Sequence, residues 1–394
     1  MLLKFLTRLA PVVVLAFSLA ACDKPVAEMG PVAWHETGKP ANLSEWALMR
    51  ADGKQLTLNK GVEPYDLNTP LFSDYAHKLR TVWMPAGKSG TYTEQTALDL
   101  PVGTVISKTF YYPRNPNGAN GEKAVAVLKS ISDTGAELVN GSLDLKKNVL
   151  VETRLLVHRA EGWVAMPYVW NAEQTEAVLS RTGDQAQLDL EGQRFTYVVP
   201  NENQCASCHM SNYNASKALL PIGLKTRHIN RDLFGENQLA RLVRVGYLKD
   251  VPGSAQLTPQ ELASLPRAVD WHDTKAPIEV RARAYLDINC AHCHNQKGPA
   301  STTALNLEPF LKPDLHLGLC KPPVAAGKGT GNRLFDIVPG EPDASIMLYR
   351  LASAEPGEMM PELGRSIPHA EGVALIREWA ASMSGGCQQA QPNK

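Results

Sequence analysis

Two five-residue segments share one pattern: Cys205-Ala206-Ser207-Cys208-His209 and Cys290-Ala291-His292-Cys293-His294 are both C-x-x-C-H. This is the spacing of covalent c-type haem attachment. Two thiols three positions apart on a helical turn can each add to a vinyl group of one porphyrin, and the adjacent histidine offers its imidazole to the iron. Chance gives roughly 0.003 such matches in a chain of this composition. A zinc site built on paired C-x-x-C elements wants them about 15–20 residues apart, whereas 81 residues lie between Cys208 and Cys290. A thioredoxin-like pair wants a βαβ setting, which neither motif has. Structural disulfides suit an oxidising compartment but give the terminal histidine no role. The expectation is two haem c groups, attached through Cys205, Cys208, Cys290 and Cys293, with His209 and His294 as proximal iron ligands.

The elements around the second motif are readable. Pro277 suits a first helical turn, and Ile278, Ala282, Tyr285 and Ile288 fall on one face of a helix predicted over Pro277–Asn289. A second helix is predicted over Pro368–Met383, with Val373, Ile376, Ala380 and Met383 in one stripe and Trp379 beside it. Between them lies Glu358-Met359-Met360-Pro361-Glu362-Leu363-Gly364. A helix before the haem motif, a C-terminal helix and a Met-Pro loop ahead of it resemble class I cytochromes c. The resemblance implies Met360, rather than Met359, as distal ligand of the second haem. A Met/His pair raises the reduction potential relative to two histidines. The opposing reading is that both methionines fill core.

The first motif follows a strand-like run, Phe195–Val199, and the loop Pro200–Gln204, and precedes a helix near Asn237–Tyr247. No Met-Pro pair follows it. Met210 is too near His209 to reach the opposite face. His228 is a weak distal candidate, since a histidine beside Arg227 is more often surface or hydrogen-bonded. Either another domain supplies the ligand or this iron is five-coordinate. Cys320 and Cys387 remain, either as a disulfide closing the last domain or as two unrelated thiols.

Residues 41–200 contain no metal-ligand cluster and no phosphate loop. Val102–Tyr112, Leu150–His158, Trp163–Asn171 and Arg194–Val199 are rich in β-branched and aromatic residues, which suggests a sandwich or barrel-like module. The aromatic, Pro-rich stretch Glu63–Tyr75 is expected to cap or dock it. Trp83, Trp163, Trp170 and Tyr168 are either core or the lining of a carbohydrate or quinone site.

At the N-terminus, Lys4 and Arg8 precede an apolar run of 11 residues, Leu9–Leu19, too short to span a bilayer and typical of a signal segment. Leu19-Ala20-Ala21-Cys22 resembles a lipobox. That implies cleavage before Cys22, acylation of its thiol and attachment to a membrane through the lipid. Asp23 then favours the inner membrane by the enteric retention rule. An ordinary secretory signal is the alternative. Without residues 1–21 the chain carries 38 Lys+Arg and 40 Asp+Glu, which excludes a nucleic-acid partner drawn by charge.

Tyr65–Tyr75, Glu152–Val157, Tyr168–Asn171, Asn203–Cys205, Tyr285–His294 and Met359–Ser366 resemble a family of bacterial diheme c-type cytochromes, often encoded beside an exported parallel β-helix protein. The resemblance covers about residues 40–385 and implies both haems but no substrate. The expected fold class is multidomain: a mainly-β module followed by mainly-α cytochrome c-like haem domains. The expected divisions are a signal over 1–21, a tether over 22–40, the β module over 41–200, a first haem region over 201–270 and a cytochrome c domain over 271–387. The expected activity is single-electron transfer on the periplasmic side of a membrane, between a protein or quinone donor and a protein acceptor. Two alternatives stand beside it: a diheme enzyme whose first haem takes peroxide or another small oxidant, and a partner- or glycan-binding β domain with an attached cytochrome.

Overall fold

The structure is a computed structural model that describes residues 28–118, 124–129, 137–210, 218–324 and 327–388. The signal segment and Cys22 lie outside the described residues. No helix among the described residues is long and apolar enough to cross a membrane.

The β-branched and aromatic runs form a six-stranded antiparallel sheet. Its strands are β1 (Glu63–Tyr65), β2 (His77–Trp83), β3 (Val105–Pro113), β4 (Asn148–Arg159), β5 (Gly162–Trp170) and β6 (Ala177–Leu179). Their spatial order follows the chain, so each strand lies beside its nearest predecessor in the sheet. Period-two alternation divides the sheet into two faces. Leu79, Val105, Tyr111, Leu155, Val157, Met166, Tyr168 and Trp170 point to one side. There they pack with Leu43, Trp46, Leu48, Leu56 and Leu143, which come from an N-terminal turn and a small four-stranded sheet. The other face carries Val82, Ile106, Leu156 and Ala165 among polar residues, and it meets the segments around the first C-x-x-C-H motif. A hairpin of β7 (Asp184–Leu190) and β8 (Gln193–Val199) pairs with residues 125–127. It packs Leu188, Phe195 and Tyr197 on Phe110 and Tyr112 and delivers the chain to the motif.

Residues 30–40, expected as a tether, are bound along this unit. Ala33 N–H donates to the Trp46 carbonyl at 3.0 Å, Arg159 to that of Gly38 at 2.6 Å, and the Tyr168 hydroxyl to that of Pro40 at 3.0 Å. The four aromatics weighed as a binding platform are mostly interior. Tyr168 and Trp170 are buried, the Trp170 indole donates to Thr153 at 3.0 Å, and Trp163 stacks on His158.

The expected fold class is corrected here. The described residues hold seventeen strands in five sheets and seven α-helices, so the chain is mostly β. Among the described residues no mainly-α domains follow the β part. The helices are α1 (Glu202–His209), α2 (Thr226–Ile229), α3 (Gln238–Arg244), α4 (Pro259–Ser264), α5 (Ile278–Leu286), α6 (Ile346–Ala352) and α7 (Ala370–Ser382). Most span two turns or fewer, with long irregular connections. Such helices are marginal alone. Those around the first motif gain burial from the sheet as well as from one another: Cys205, Leu224, Ile229, Leu239 and Leu242 share a core with Val82 and Ile106.

The longest helix, α7, buries Leu375, Ile376, Trp379 and Ala380 against Ala282, Tyr285 and Leu286 of α5. Gly372 permits the approach, because a Cβ there would run into the Tyr285 ring and the His369 imidazole. The stretch Tyr65–Tyr75 is a strap tying the sheet to this C-terminal part. Phe72 N–H donates to Asn289 Oδ1 at 2.8 Å and the Tyr75 hydroxyl donates to Glu371 at 2.5 Å. Asp74 Oδ1 accepts the amides of Ser366 and Ile367 at 2.7 and 2.9 Å.

Candidate haem-attachment sites

The first motif occupies a helix with a defined start. The Asn201 side chain accepts the Gln204 amide at 2.8 Å, and the Gln204 side chain accepts the Asn201 amide at 2.9 Å. This reciprocal capping box fixes the first turn of α1. The sequence had suggested only a loop there, although N-x-x-Q is a readable signal for such a box. On the capped helix Cys205, Cys208 and His209 share one side, and α1 packs on β5.

All three residues line one cavity. Its other walls are the strap (Tyr65, Leu67, Leu71, Phe72), the sheet (Ile106, Leu156, Ala165), and Pro361–Arg365 from the far end of the chain. His209 Nδ1 lies 2.8 Å from the Leu220 carbonyl. The carbonyl can only accept, so Nδ1 carries the proton and Nε2 keeps its lone pair for a metal. Burial, reinforced by the nearby Lys108 charge, pushes this imidazole down to about 4, so it stays neutral. His228 is not among the lining residues. It is fully buried, its ring nitrogens lack hydrogen-bond partners, and Nε2 lies 3.5 Å from Asp287.

The sheet wall of this cavity is cationic. Arg80 on β2, Lys108 on β3 and Arg154 on β4 are direct cross-strand neighbours, an arrangement of like charges that costs stability. Arg80 is paired with Asp66 at 2.7 Å and Arg154 with Glu152 at 2.5 Å. Lys108 lies over the Phe110 ring at 5.2 Å. Burial, with Arg154 and Arg80 adding to it, lowers its ammonium to about 7. An anionic occupant would relieve the row, and a haem carries two carboxylates. Sequence reasoning missed these residues because charged positions on a strand read as a solvated face.

The second motif begins where α5 loosens into a π-helical turn, Asp287–Ala291, a distortion common at functional sites. Asn289 Nδ2 donates to the Tyr285 carbonyl at 2.9 Å, and the His294 amide to that of Cys290 at 2.9 Å. Cys290 and His294 line a separate cavity, and Met360 lines it with them while Met359 does not. The Thr303 hydroxyl donates to Ala300 at 2.7 Å. It therefore accepts from His294 Nδ1 at 3.3 Å, again leaving Nε2 free. Burial pushes the His294 imidazole down to about 4 and the Cys290 thiol up to about 12.

Arg365 positions the methionine. Its guanidinium donates to the carbonyls of Met360 at 2.8 Å, Ser353 at 2.9 Å and Arg350 at 3.1 Å. A buried arginine serving three carbonyls has no sequence signature of its own.

The two motifs also touch. The Cys293 thiol hydrogen-bonds Cys208, the His292 ring does so as well, and these contacts hold the Cys208 thiol well below its ordinary range. Cys293 is correspondingly raised.

The donor set fits two c-type haems. The first motif presents two thiols and a neutral imidazole with a free Nε2 to a cavity with a cationic wall, and the second presents Cys290 and a like imidazole to a cavity that holds the Met360 thioether, with Cys293 outside that lining. Among the described residues no group of three or more His, Cys, Asp or Glu forms a metal cage, and haem iron needs none, because the porphyrin supplies four ligands. Compared with known protein families, curated proteins and solved structures, the chain shows no match.

Proposed function

We propose that this chain is a two-haem c-type cytochrome that carries single electrons, consistent with the family resemblance in its sequence. One observation carries the reading. Each C-x-x-C-H motif lines its own cavity with a histidine whose Nδ1 proton is engaged and whose Nε2 is free, and the second cavity also holds Met360. The bound haem would supply the redox chemistry. The chain's own residues do the rest. Cys205, Cys208, Cys290 and Cys293 attach, His209 and His294 ligate, and Met360 completes the second site. Leu220 and Thr303 fix the imidazole tautomers.

The N-terminal pattern adds anchorage at Cys22 on the periplasmic side of a membrane, with a quinone or protein donor and a protein acceptor. The mature chain is near neutral, so recognition of such partners would rest on local patches rather than overall steering.

A second reading has its own support. Among the described residues lining the first cavity there is no methionine. A first centre without a thioether beside its iron would be open to a small oxidant such as peroxide, with electrons supplied by the second.

Intact mass and a pyridine haemochrome assay on chain made with the c-type maturation system test the proposal. Two covalent haems per chain support it. One or none overturns it. A high-spin ferric signal on the two-haem protein selects the second reading, and two low-spin signals select plain electron transfer.

A further inference from the structure

Cys208 and Cys293 are the second thiols of their motifs, and they stand against each other. The Cys293 sulfur lies 3.9 Å from the carbonyl of Ser207, the residue before Cys208 and 86 positions away in the chain. His292 belongs to the second motif yet lines the first cavity beside Cys208. Independent contacts hold the two segments together. Ile288, on the turn into the second motif, shares a core with Cys205. Asp287, one residue earlier, is gripped by Arg227. Phe72 lies in the first cavity wall and donates its amide to Asn289 of that turn. The contact therefore sits within a braced interface rather than at the tip of a loop.

We infer that the Cys208–Cys293 contact makes the two attachment sites one paired centre, in which groups carried by the two motifs are electronically coupled. The inference rests on the two-haem reading. Each thiol, once added to a vinyl group, would sit one carbon from the edge of its porphyrin, so the close approach of the two motifs brings two porphyrin edges near each other. Chromophores so placed share their excited states, and reduction of one alters the charge felt by the other. His292, wedged between the first cavity and the second motif, adds a contact to the junction.

The test uses the full chain carrying both haems. Circular dichroism across the intense porphyrin band is expected to show a two-signed couplet. The couplet should vanish in a Cys290→Ala/Cys293→Ala chain, which keeps only the first attachment, and in a Cys205→Ala/Cys208→Ala chain, which keeps only the second. A two-haem protein whose spectrum equals the sum of those two variants overturns the inference. Should the variants not fold, paramagnetic resonance of the wild-type chain decides. Ferric signals attenuated when both irons are oxidised, and recovered at half reduction, support pairing; two full independent signals overturn it. Fewer than two haems by intact mass overturns the underlying reading first, so the two failures are told apart by mass alone.

Discussion

Arg227 holds Asp287 through two hydrogen bonds, of 2.6 Å from Nε and 2.8 Å from Nη2, with both side chains almost fully buried. Burial alone would raise the Asp287 carboxyl, but Arg227 and His228 outweigh it and hold it low. The pair joins helix α2, which follows the first motif, to the turn that opens the second. Asp287→Asn leaves a buried guanidinium uncompensated, which costs about 3–5 kcal/mol. Denaturant unfolding reads the loss directly. A change below about 1 kcal/mol would show that the pair is not a structural joint.

Met360 is the thioether in the second cavity. In the loaded chain, Met360→His should lower the potential of that centre by on the order of 0.1–0.3 V, within the ~0.8 V span that axial ligands command. Met359→Leu should leave it unmoved. Spectroelectrochemical titration of the two variants checks both. An effect of Met359 equal to that of Met360 refutes the assignment.

Arg365→Met withdraws donors from the carbonyls of Met360, Ser353 and Arg350. The Arg350 carbonyl keeps the Met360 amide at 3.0 Å, so two carbonyls are left unsatisfied at about 1–3 kcal/mol each, and the expected loss is about 3 kcal/mol. The spectral signature of sulfur ligation should weaken as well. Lysine should restore little, because a single ammonium cannot reproduce the planar fork.

Cys320 and Cys387 are disulfide-bonded, 67 positions apart in sequence. Replacing both by serine should cost about 2–4 kcal/mol on the chain-entropy account without changing the haem count. Thermal unfolding with parallel intact mass separates the two effects.

Burial pushes the Asp74 carboxyl up to about 6, against the two amide hydrogen bonds it accepts. An unfolded aspartate titrates near ~3.9, so between these values the folded chain holds the extra proton. Stability from this group is fully present below about pH 4 and is lost as pH rises through 6, a total of about 3 kcal/mol. The stability difference, wild type minus Asp74→Asn, should therefore fall by that amount from pH 4 to pH 7. A flat difference would contradict the burial argument.

The two motifs, the main strands and helices α5 and α7 are legible because each rests on local chemistry or on periodicity over ten or more residues. Strand β4, for instance, runs Asn148–Arg159 where the β-branched pattern marks Leu150–His158. The rest depends on distant partners. Residues 201–270 are expected to be α because their haem motif resembles those of cytochrome c-like domains, but the short helices there share their core with the sheet. Arg80, Lys108 and Arg154 look like an outer face until Pro361–Arg365 and the strap close over it. The Cys208–Cys293 contact joins two copies of one pattern, and nothing in either copy encodes the other's position.

The strap has a consequence in time. Asp74 meets Ser366 across a separation of 292 residues, so one wall of the first cavity waits for nearly the last part of the chain to be made. At ~5–20 residues per second, translation from the first motif to Ser366 takes on the order of 10–30 s. Until that segment is in place, Cys205 and Cys208 face a trough that lacks one of its walls. The long-range closure thus acts as a built-in delay, leaving a window for covalent modification before the walls meet.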